Sequence, residues 1–366
     1  MPNRPPLPDR PLKLGTRRSP LAMAQAEETR DRLIAAHPGL NVEIVPVTAS
    51  GDKIQDRPLA EIGGKALWTK ELDQWLATGE IDFAVHSLKD VETLRPASLT
   101  LAAILPREDV RDVLVGAASI SALPRGARVG TSAPRRAAQL LHARPDCTVV
   151  SFRGNVATRL AKLAAGEADA TLLARAGLNR LGESATGHPL AAEEWLPAPG
   201  QGAIAIECRS DAAAVRTILA AIDHAPSRAA VLAERALLAG LGGNCHSPIA
   251  VLTTHDGADL ILRAALGLFE RRLGLLFRLG DIIEPVLQPR RFRAQQGVLC
   301  DSSKIEAIRH REIFAERRGL RRRQKQANTA TDGDRGKKGA TAGRRIAGEH
   351  EVYSQIDALS RRSRPS

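Results

Sequence analysis

Cysteine is scarce in this sequence. Its four cysteines, Cys147, Cys208, Cys245 and Cys300, lie far apart and form no C-x-x-C pair. A disulfide framework or a structural zinc site uses closely spaced or paired cysteines, so this pattern argues against both. We therefore expect no metal site and interpret each cysteine from its own surroundings in the sequence.

Long apolar runs are also absent. No stretch approaches the roughly 18–20 apolar residues that a membrane helix needs. The first ten residues are rich in proline and arginine and contain no apolar core of a signal peptide. We expect a cytoplasmic protein with no membrane partner.

The positive charge is concentrated at one end of the chain. Of the net charge of +12, residues 267–366 carry +11, from 23 Lys plus Arg against 12 Asp plus Glu, which leaves +1 for residues 1–266. The high isoelectric point therefore describes a tail and does not make the protein a specific nucleic-acid binder. Arginine pairs and a polar low-complexity stretch at 329–343 predict that most of this tail is disordered.

Before the tail, short Val-, Ile- and Leu-rich runs alternate with amphipathic helical stretches. Examples are the predicted strands Leu12–Gly15 and Ile81–Val85 and the predicted helices Pro20–Ala36 and Asn155–Ala165. This alternation favours an α/β architecture with largely parallel sheets. The Pro/Gly-dense run at 195–202 is a plausible domain crossing, and a further unit begins where Ser227 can cap a helix that runs to Leu241.

Three strand-to-helix turns carry arginines. They are T-R-R-S-P at 16–20, with Ser19 as a helix cap, G-T-S-A-P-R-R at 130–136, and F-R-G-N-V-A-T-R at 152–159. A helix N-terminus offers free N–H groups, and arginine adds a bidentate fork for an anion. Neither a P-loop nor G-x-G-x-x-G occurs, so the three turns together favour a cleft for carboxylates rather than for nucleotide phosphates.

Two further segments contain reactive side chains. H-S-L-K-D at 86–90 follows a predicted strand, so Lys89 and Asp90 would lie at the end of a sheet where α/β proteins bind ligands. Cys245 lies on the Gly-rich turn G-G-N-C-H-S-P, where a thiol can be a nucleophile or an attachment point. Cys147 and Cys208 lie on strand-like runs and are expected in the core. Each segment alone is also compatible with a purely structural role.

Seven motifs, in order, resemble the porphobilinogen deaminase (hydroxymethylbilane synthase) family. The resemblance runs from about residue 12 to 266, and the motifs read T-R-R-S-P-L-A, G-G-K-A-L-W-T-K-E-L, H-S-L-K-D, T-S-A-P-R-R, R-G-N-V-A-T-R, G-Q-G-A-I-A-I-E-C-R and G-N-C-H-S-P-I. The resemblance implies two α/β domains of the type II periplasmic-binding-protein kind and a small α+β third domain. We place domain 1 at 11–105 and 200–222, domain 2 at 106–199, the start of an incomplete domain 3 at 223–266 and the atypical basic tail at 267–366.

The resemblance also implies an activity. Such a transferase joins four porphobilinogens head-to-tail into hydroxymethylbilane and releases ammonia. The growing chain starts from a dipyrromethane cofactor, which a thioether joins to Cys245. By family match Asp90 is catalytic. The residues expected to contact the cofactor are Cys245, Lys89, Asp90, Arg135, Arg136 and Ser132. Those expected to contact the substrate are Arg17, Ser19, Arg153, Arg159, Arg180 and Gln201.

Two alternatives remain open at this stage: a non-catalytic anion-binding module of the same two-domain fold, and a deaminase inactivated by a disrupted third domain. Near residue 266 the family pattern gives way to the Arg-rich tail, and we interpret that change as a frameshift rather than a fused functional segment. We expect a monomer whose small-molecule partner is porphobilinogen.

Overall fold

The computed structural model describes residues 7–47, 69–257, 259–267 and 272–275. Within these ranges the strands form two five-stranded sheets and one three-stranded sheet. The strands are β1 (Leu12–Arg17), β2 (Val42–Val47), β3 (Phe83–Ser87), β4 (Leu99–Ile104), β5 (Asp112–Val115), β6 (Arg128–Gly130), β7 (Thr148–Val150), β8 (Ala170–Ala174), β9 (His188–Pro189), β10 (Ile204–Arg209), β11 (Ile249–Asp256), β12 (Asp259–Gly267) and β13 (Arg272–Leu275). The helices are α1 (Pro20–Ala36), α2 (Lys70–Thr78), α3 (Pro134–Ala143), α4 (Val156–Ala164), α5 (Arg175–Arg180), α6 (Ala213–Leu219) and α7 (Ala225–Gly240). Two short 3-10 turns cover Leu88–Asp90 and Ala220–Ile222.

The first sheet has the strand order β2-β1-β3-β10-β4. Helix α1 joins β1 to β2, and such a crossover makes the two strands parallel. Strand β3 lies parallel to β1 on its other side. Leu14, Leu33, Phe83 and Ile206 are fully buried in the core of this unit. Because β1 and β3 run in the same direction, the segments that leave their C-terminal ends begin side by side.

The second sheet has the order β7-β6-β8-β5-β9, with β6 parallel to both β7 and β8. Gly130 ends β6, and a Cβ atom at this position would overlap the ring of Phe152, which is fully buried. That close approach needs glycine. It packs the turn before α3 against the segment before α4, so two of the three arginine turns come together.

A third unit consists of α7 packed on the antiparallel sheet β11-β12-β13. Its core contains Ala233, Leu237, Val251, Leu262 and Ala264. Strand β13 pairs with β12 from Ala264 opposite Leu275 to Gly267 opposite Arg272. A strand therefore forms just beyond residue 266, within the range assigned to the tail. Apart from Gly267 and 272–275, the tail lies outside the described residues.

Both large sheets are mixed rather than largely parallel, which corrects the expectation from the sequence. In the first, β10 is antiparallel to β3 and β4, and in the second, β5 is antiparallel to β8 and β9. A helical crossover such as α1 dictates parallel pairing, whereas β10 returns to the first sheet only after the chain has built the second one. Strand content is readable locally, but the direction of a returning strand is set by this tertiary path.

The cap predicted at Ser19 is confirmed, and the helix predicted from Asn155 begins one residue later, at Val156, with Asn155 as its cap. Ser19 caps α1, since its Oγ accepts from the N–H of Ala22, and Asn155 caps α4 by accepting from Thr158. Ser227 was wrong as a cap. The helix begins at Ala225, and the His224 side chain accepts from the N–H of Ser227 instead. None of the helices in the described part of the chain is long and apolar enough to cross a membrane.

Candidate active site

A pocket lies where the chain leaves β1 and β3. Its volume is about 430 Å³, which includes space at its open mouth. The polar residues that line it are Arg17, Ser19, Gln25, Thr69, His86, Ser87 and Asp90. The parallel pairing of β1 and β3 brings the first arginine turn beside the 3-10 turn that carries Asp90. Two segments far apart in sequence thus face one pocket.

His86 is a buried titratable residue in the wall of this pocket. Burial, followed by the charge of Arg95, lowers the pKa of His86 to about 4. Its Nε2 lies 3.6 Å from the Glu207 carboxylate and has no hydrogen-bond partner. The ring is therefore neutral near pH 7, which leaves the Asp90 carboxylate as the charged group that β3 and its following turn contribute to the pocket wall.

Lys89 is half-buried beside Asp90. Burial lowers the pKa of Lys89 to about 8, although Asp90 acts in the opposite direction. Arg136 and Arg135 lower this pKa too, while Asp112 raises it. Lys89 from the first sheet therefore lies within electrostatic range of residues on the second. An ammonium group placed so close to other cations is poised to accept an anion.

Asp112 is the centre of the charged groups on the second sheet. This buried carboxylate accepts five hydrogen bonds, from Arg135 Nη2, Arg136 Nε and Nη2, Trp195 Nε1 and Gln201 Nε2, at 2.7–3.1 Å. Burial opposes ionisation, but the two guanidinium groups outweigh it and hold the pKa of Asp112 well below its usual range. Asp112 is thus a fixed anion that orients two adjacent arginines.

This network determines the hydrogen bonding of Arg135 and Arg136. Both are at least 95% buried on the first turn of α3, and they also donate to the carbonyl oxygens of Leu196 and Leu172. The Arg135 Nε has no hydrogen-bond partner. Most of the donors expected for a cofactor are thus occupied within the protein, although their charge still reaches Lys89.

The third arginine turn approaches Asp90 from the second sheet. Burial lowers the pKa of Arg159 to about 10, with Arg136 and Arg153 acting in the same direction and Asp90 against them. Arg159 Nε also donates to the carbonyl of Gly154 at 3.0 Å. Arg159 and Lys89 are therefore close to the same carboxylate.

Cys245, on the third unit, is within electrostatic range of the same carboxylate. It is an exposed free cysteine on a turn in which the Asn244 side chain accepts from the N–H of His246. Partial burial of the thiol, then the carboxylates of Asp90 and Glu92, raise the pKa of Cys245. Cys147 and Cys208 are buried in the cores of the two large units, as expected from their strand-like surroundings.

The remaining predicted contacts occupy different surroundings. Arg180 donates to Glu28 and to the carbonyl of Gly202, both at 3.2 Å. Gln201 is buried and donates to Val110 O and Asp112, with an Oε1 that has no partner. Ser132 is half-buried in the turn before α3. Arg180 and Gln201 are thus held by the protein at the segments that join the two large sheets.

Two buried, hydrogen-bonded carboxylates were not singled out from the sequence. Asp112 is one, and Glu234 on α7 is the other. Buried Glu234 accepts from Arg107 at 2.7 and 3.0 Å, and from the backbone N–H groups of Gly200 and Thr253. It thereby joins the third unit to the connecting segments. Asp112 ends the charged run R-E-D-V-R-D, in which nothing marks one carboxylate as buried, whereas Glu234 lies on a helix with apolar neighbours and could have been suspected.

No group of three or more His, Cys, Asp or Glu side chains in the described ranges is arranged to hold a metal ion.

Comparison with protein families gives two matches. "Porphobilinogen deaminase, dipyromethane cofactor binding domain" matches residues 12–217, and "Porphobilinogen deaminase, C-terminal domain" matches residues 228–274. The chain belongs to the porphobilinogen deaminase family. The second match extends eight residues past residue 266, where the resemblance seen in the sequence ends, and into the strand β13.

Individual relatives agree with the family matches. The chain is 62% identical over 270 residues to the porphobilinogen deaminase of Sphingopyxis alaskensis, covering 72% of this chain and 85% of the relative. It is 52% identical over 267 residues to that of Paracoccus denitrificans, covering 71% and 85%. A periplasmic VFT2 domain of Bordetella pertussis BvgS is 17% identical with a TM-score of 0.38, covering 64% of this chain and 99% of that one. A likeness that distant carries no argument about the site.

Membership of the porphobilinogen deaminase family confirms the main functional expectation. The enzyme is a transferase of tetrapyrrole biosynthesis, and its cofactor is dipyrromethane. The cofactor-domain match fits this activity and not the two alternatives. The α/β class, with two sheet-and-helix units and a small third unit, is confirmed as well.

Proposed function

We propose that Cys245 holds the dipyrromethane and that Asp90 is the catalytic carboxylate acting on the pyrrole bound next to it. One observation carries this assignment. An exposed thiol from the third unit lies close enough to Asp90 for the carboxylate to raise its pKa, while Lys89 and Arg159 approach Asp90 from two different sheets. The same carboxylate is thus shared by the attachment point and by the anion-binding groups.

The residues present fit the cofactor chemically. A dipyrromethane bears acetate and propionate groups, so its site needs a thiol and several cations. Cys245 supplies an accessible thiol, Lys89 and Arg159 supply cations within electrostatic range of Asp90, and Arg136 supplies a cation within range of Lys89 and Arg159. Arg135 adds a buried Nε donor that has no partner in the protein. We assign the cofactor contacts to Cys245, Lys89, Asp90, Ser132, Arg135 and Arg136.

When bound, the dipyrromethane supplies the nucleophilic pyrrole carbon to which the first substrate is added. Asp90 lines the pocket with its carboxyl group. As ammonia leaves porphobilinogen the substrate becomes cationic, and a preorganised carboxylate stabilises that charge. The same carboxylate can take a proton from a pyrrole and return it. Neutral His86 and cationic Lys89 cannot replace it in that role.

The substrate contacts are assigned by position relative to this pocket. Arg17 and Ser19 lie on its wall, while Arg153 and Arg159 approach from the second sheet, so these two pairs can hold carboxylates of different pyrroles. Arg180 and Gln201 lie at the segments that join the sheets. We assign these six residues to binding porphobilinogen and the growing chain.

We further propose a monomeric enzyme of the cytoplasm with no specific nucleic-acid partner. The near-neutral charge of residues 1–266 supports the last point, since the excess of Lys and Arg lies beyond them. The sheet composition supports the domain limits given above: strands of the first sheet come from residues 12–104 and 204–209, and those of the second from 112–189.

The test of the cofactor assignment is the mass of the purified protein. The wild type should be heavier than its sequence by one dipyrromethane, and the extra mass should lie on the peptide that contains Cys245. Cys245→Ser should have the mass of the bare chain. Cys147→Ala, a change at a buried cysteine in the second unit, is the control and should keep the added mass. Extra mass retained by Cys245→Ser would contradict the assignment.

Replacing Lys89 by methionine should stabilise the cofactor-free protein at pH 7. The pKa of about 8 means that burial favours neutral Lys89, so keeping it charged costs folding free energy, about 1–2 kcal/mol after allowance for its exposed part. Between pH 8 and 10.5 the folded state binds fewer protons than the unfolded state, so wild-type stability rises with pH there. The advantage of Lys89→Met should therefore shrink across that window.

Urea unfolding in the Cys245→Ser background, which carries no cofactor, measures this difference. Lys162→Met is the control, because Lys162 is paired with Glu167 at the surface. An advantage of Lys89→Met that stays constant from pH 7 to pH 10 would show that Lys89 is not held in a charge-disfavouring site.

A further inference from the structure

The segment that follows Asp90 is bound to the third unit along three consecutive residues. Arg235 on α7 is buried, and its guanidinium donates to the carbonyl oxygens of Val91, Glu92 and Thr93 at 2.5–3.3 Å. A single side chain thus fixes the backbone path immediately after the catalytic carboxylate. The Asp90 turn belongs to the first sheet, but its exit is held by the helix that leads to Cys245.

A second contact completes the connection. The Thr93 Oγ1 donates to the carbonyl oxygen of Gly243 at 2.9 Å, and Gly243 lies two residues before Cys245. Gly243 itself is buried and fixed: its N–H donates to Leu238 O at 2.8 Å, and a Cβ atom there would collide with the side chains of Leu238 and Ile249. The Thr93 hydroxyl is therefore anchored to a rigid point at the base of the cysteine turn.

Beyond Gly243 the cysteine turn is exposed. Gly242, Asn244 and Cys245 are all solvent-exposed, and Asn244 is hydrogen-bonded within the turn, to His246 and Ser247. Such a turn, with short-range hydrogen bonds and little burial, belongs to the less stable part of a structure. The Thr93 hydrogen bond to Gly243 joins the base of this turn to the segment that follows Asp90, and so bears on the position of Cys245 relative to Asp90.

We propose that Thr93 is a positioning residue that holds the cysteine turn against the Asp90 loop, so that the cofactor attachment point and the catalytic carboxylate keep a fixed separation. The proposal rests on the functions assigned above to Cys245 and Asp90. Arg235 fixes the path of residues 91–93, and the Thr93 hydroxyl transfers that position to the turn. The hydroxyl, rather than the methyl group, is the part that acts.

Two variants separate the role of the Thr93 hydroxyl from that of its methyl group. Thr93→Val keeps the shape and removes the donor, whereas Thr93→Ser keeps the donor and removes the methyl. Thr253→Val is the matched control: Thr253 is buried in the same third unit, and its Oγ1 has no hydrogen-bond partner. Cofactor-free full-length protein, from cells unable to make porphobilinogen, is used for all of them.

The rate of Cys245 alkylation and the rate of cofactor loading should change in opposite directions in Thr93→Val. With the turn released, the thiol spends less time beside the Asp90 and Glu92 carboxylates, so iodoacetamide should alkylate Cys245 faster at pH 7, by about two- to tenfold, the effect of one hydrogen bond. The same variant, incubated with porphobilinogen, should acquire the dipyrromethane mass more slowly by a similar factor. Thr93→Ser should stay near the wild type, and so should Thr253→Val.

Several results would overturn the proposal. They are equal alkylation and loading rates for Thr93→Val and the wild type, a Thr93→Ser variant that behaves like Thr93→Val, or a Thr253→Val variant that shows the same opposed changes. A wild-type protein that never gains mass at Cys245 would instead overturn the cofactor assignment, so the two failures are distinguishable.

Discussion

Asp90→Asn should release ammonia from porphobilinogen at least about 10²–10³-fold more slowly than the wild type. The amide keeps the size of the carboxylate but removes the charge that stabilises the cationic substrate, and loss of one preorganised electrostatic group costs about this much in rate. Cys245 and the cationic side chains are untouched. A preparation already carrying the dipyrromethane should therefore keep it. Steady-state ammonia release on mass-checked protein measures the effect.

Asp211→Asn is the matched control for that substitution. Asp211 is an exposed carboxylate paired with Arg209 on the surface, so the same chemical change should leave turnover within about twofold. Near-wild-type ammonia release from Asp90→Asn would remove Asp90 from the catalytic role. A loss of similar size in both variants would show that the assay responds to something other than this carboxylate.

Asp112→Ala should be the most destabilising single substitution among the site residues. It would leave Arg135 and Arg136 buried without their counter-charge, and removing one partner of a buried ion pair costs about 3–5 kcal/mol. Asp112→Asn keeps the shape and should cost less. Both variants should load the cofactor poorly, because the two guanidinium groups lose the anion that orients them. Urea unfolding and intact mass measure the two effects.

Asp109→Asn provides the comparison two residues earlier in the chain. Asp109 also pairs with an arginine, but Arg111 is 43% exposed, and such surface pairs contribute about 0–1 kcal/mol. If Asp112→Asn were as stable as Asp109→Asn and loaded the cofactor fully, Asp112 would have no orienting role. That variant remains informative even if Asp112→Ala fails to fold.

The proximity of the second and third arginine turns could be anticipated from the sequence because it depends on local rules. Ser19 and Asn155 are helix caps wherever they occur before an amphipathic run, and parallel strands place their following turns at one edge. Asp90 follows β3 for the same reason. These rules do not show which charged groups become buried together. That joint burial determines the hydrogen bonding of Arg135 and Arg136.

Asp112 illustrates this limit. Its neighbours Glu108, Asp109 and Arg111 are charged, so the pattern indicates solvent, yet Asp112 is fully buried because α3 and Trp195 close over it. Strand β13 illustrates a second limit of prediction from the sequence. Residues 272–275 follow a departure from the family motifs, but pairing with β12 needs only backbone groups, which the motif comparison does not see.

The measurement that tests the central claim most directly is native mass spectrometry of the holoenzyme after addition of porphobilinogen. The claim is that a carboxylate at Asp90 performs the coupling on a primer held at Cys245. The wild type should show a series of enzyme-bound species, each heavier by one pyrrole unit. Asp90→Asn should show only the mass of the enzyme with its cofactor. The same series of bound species in Asp90→Asn, formed at the wild-type rate, would contradict the account.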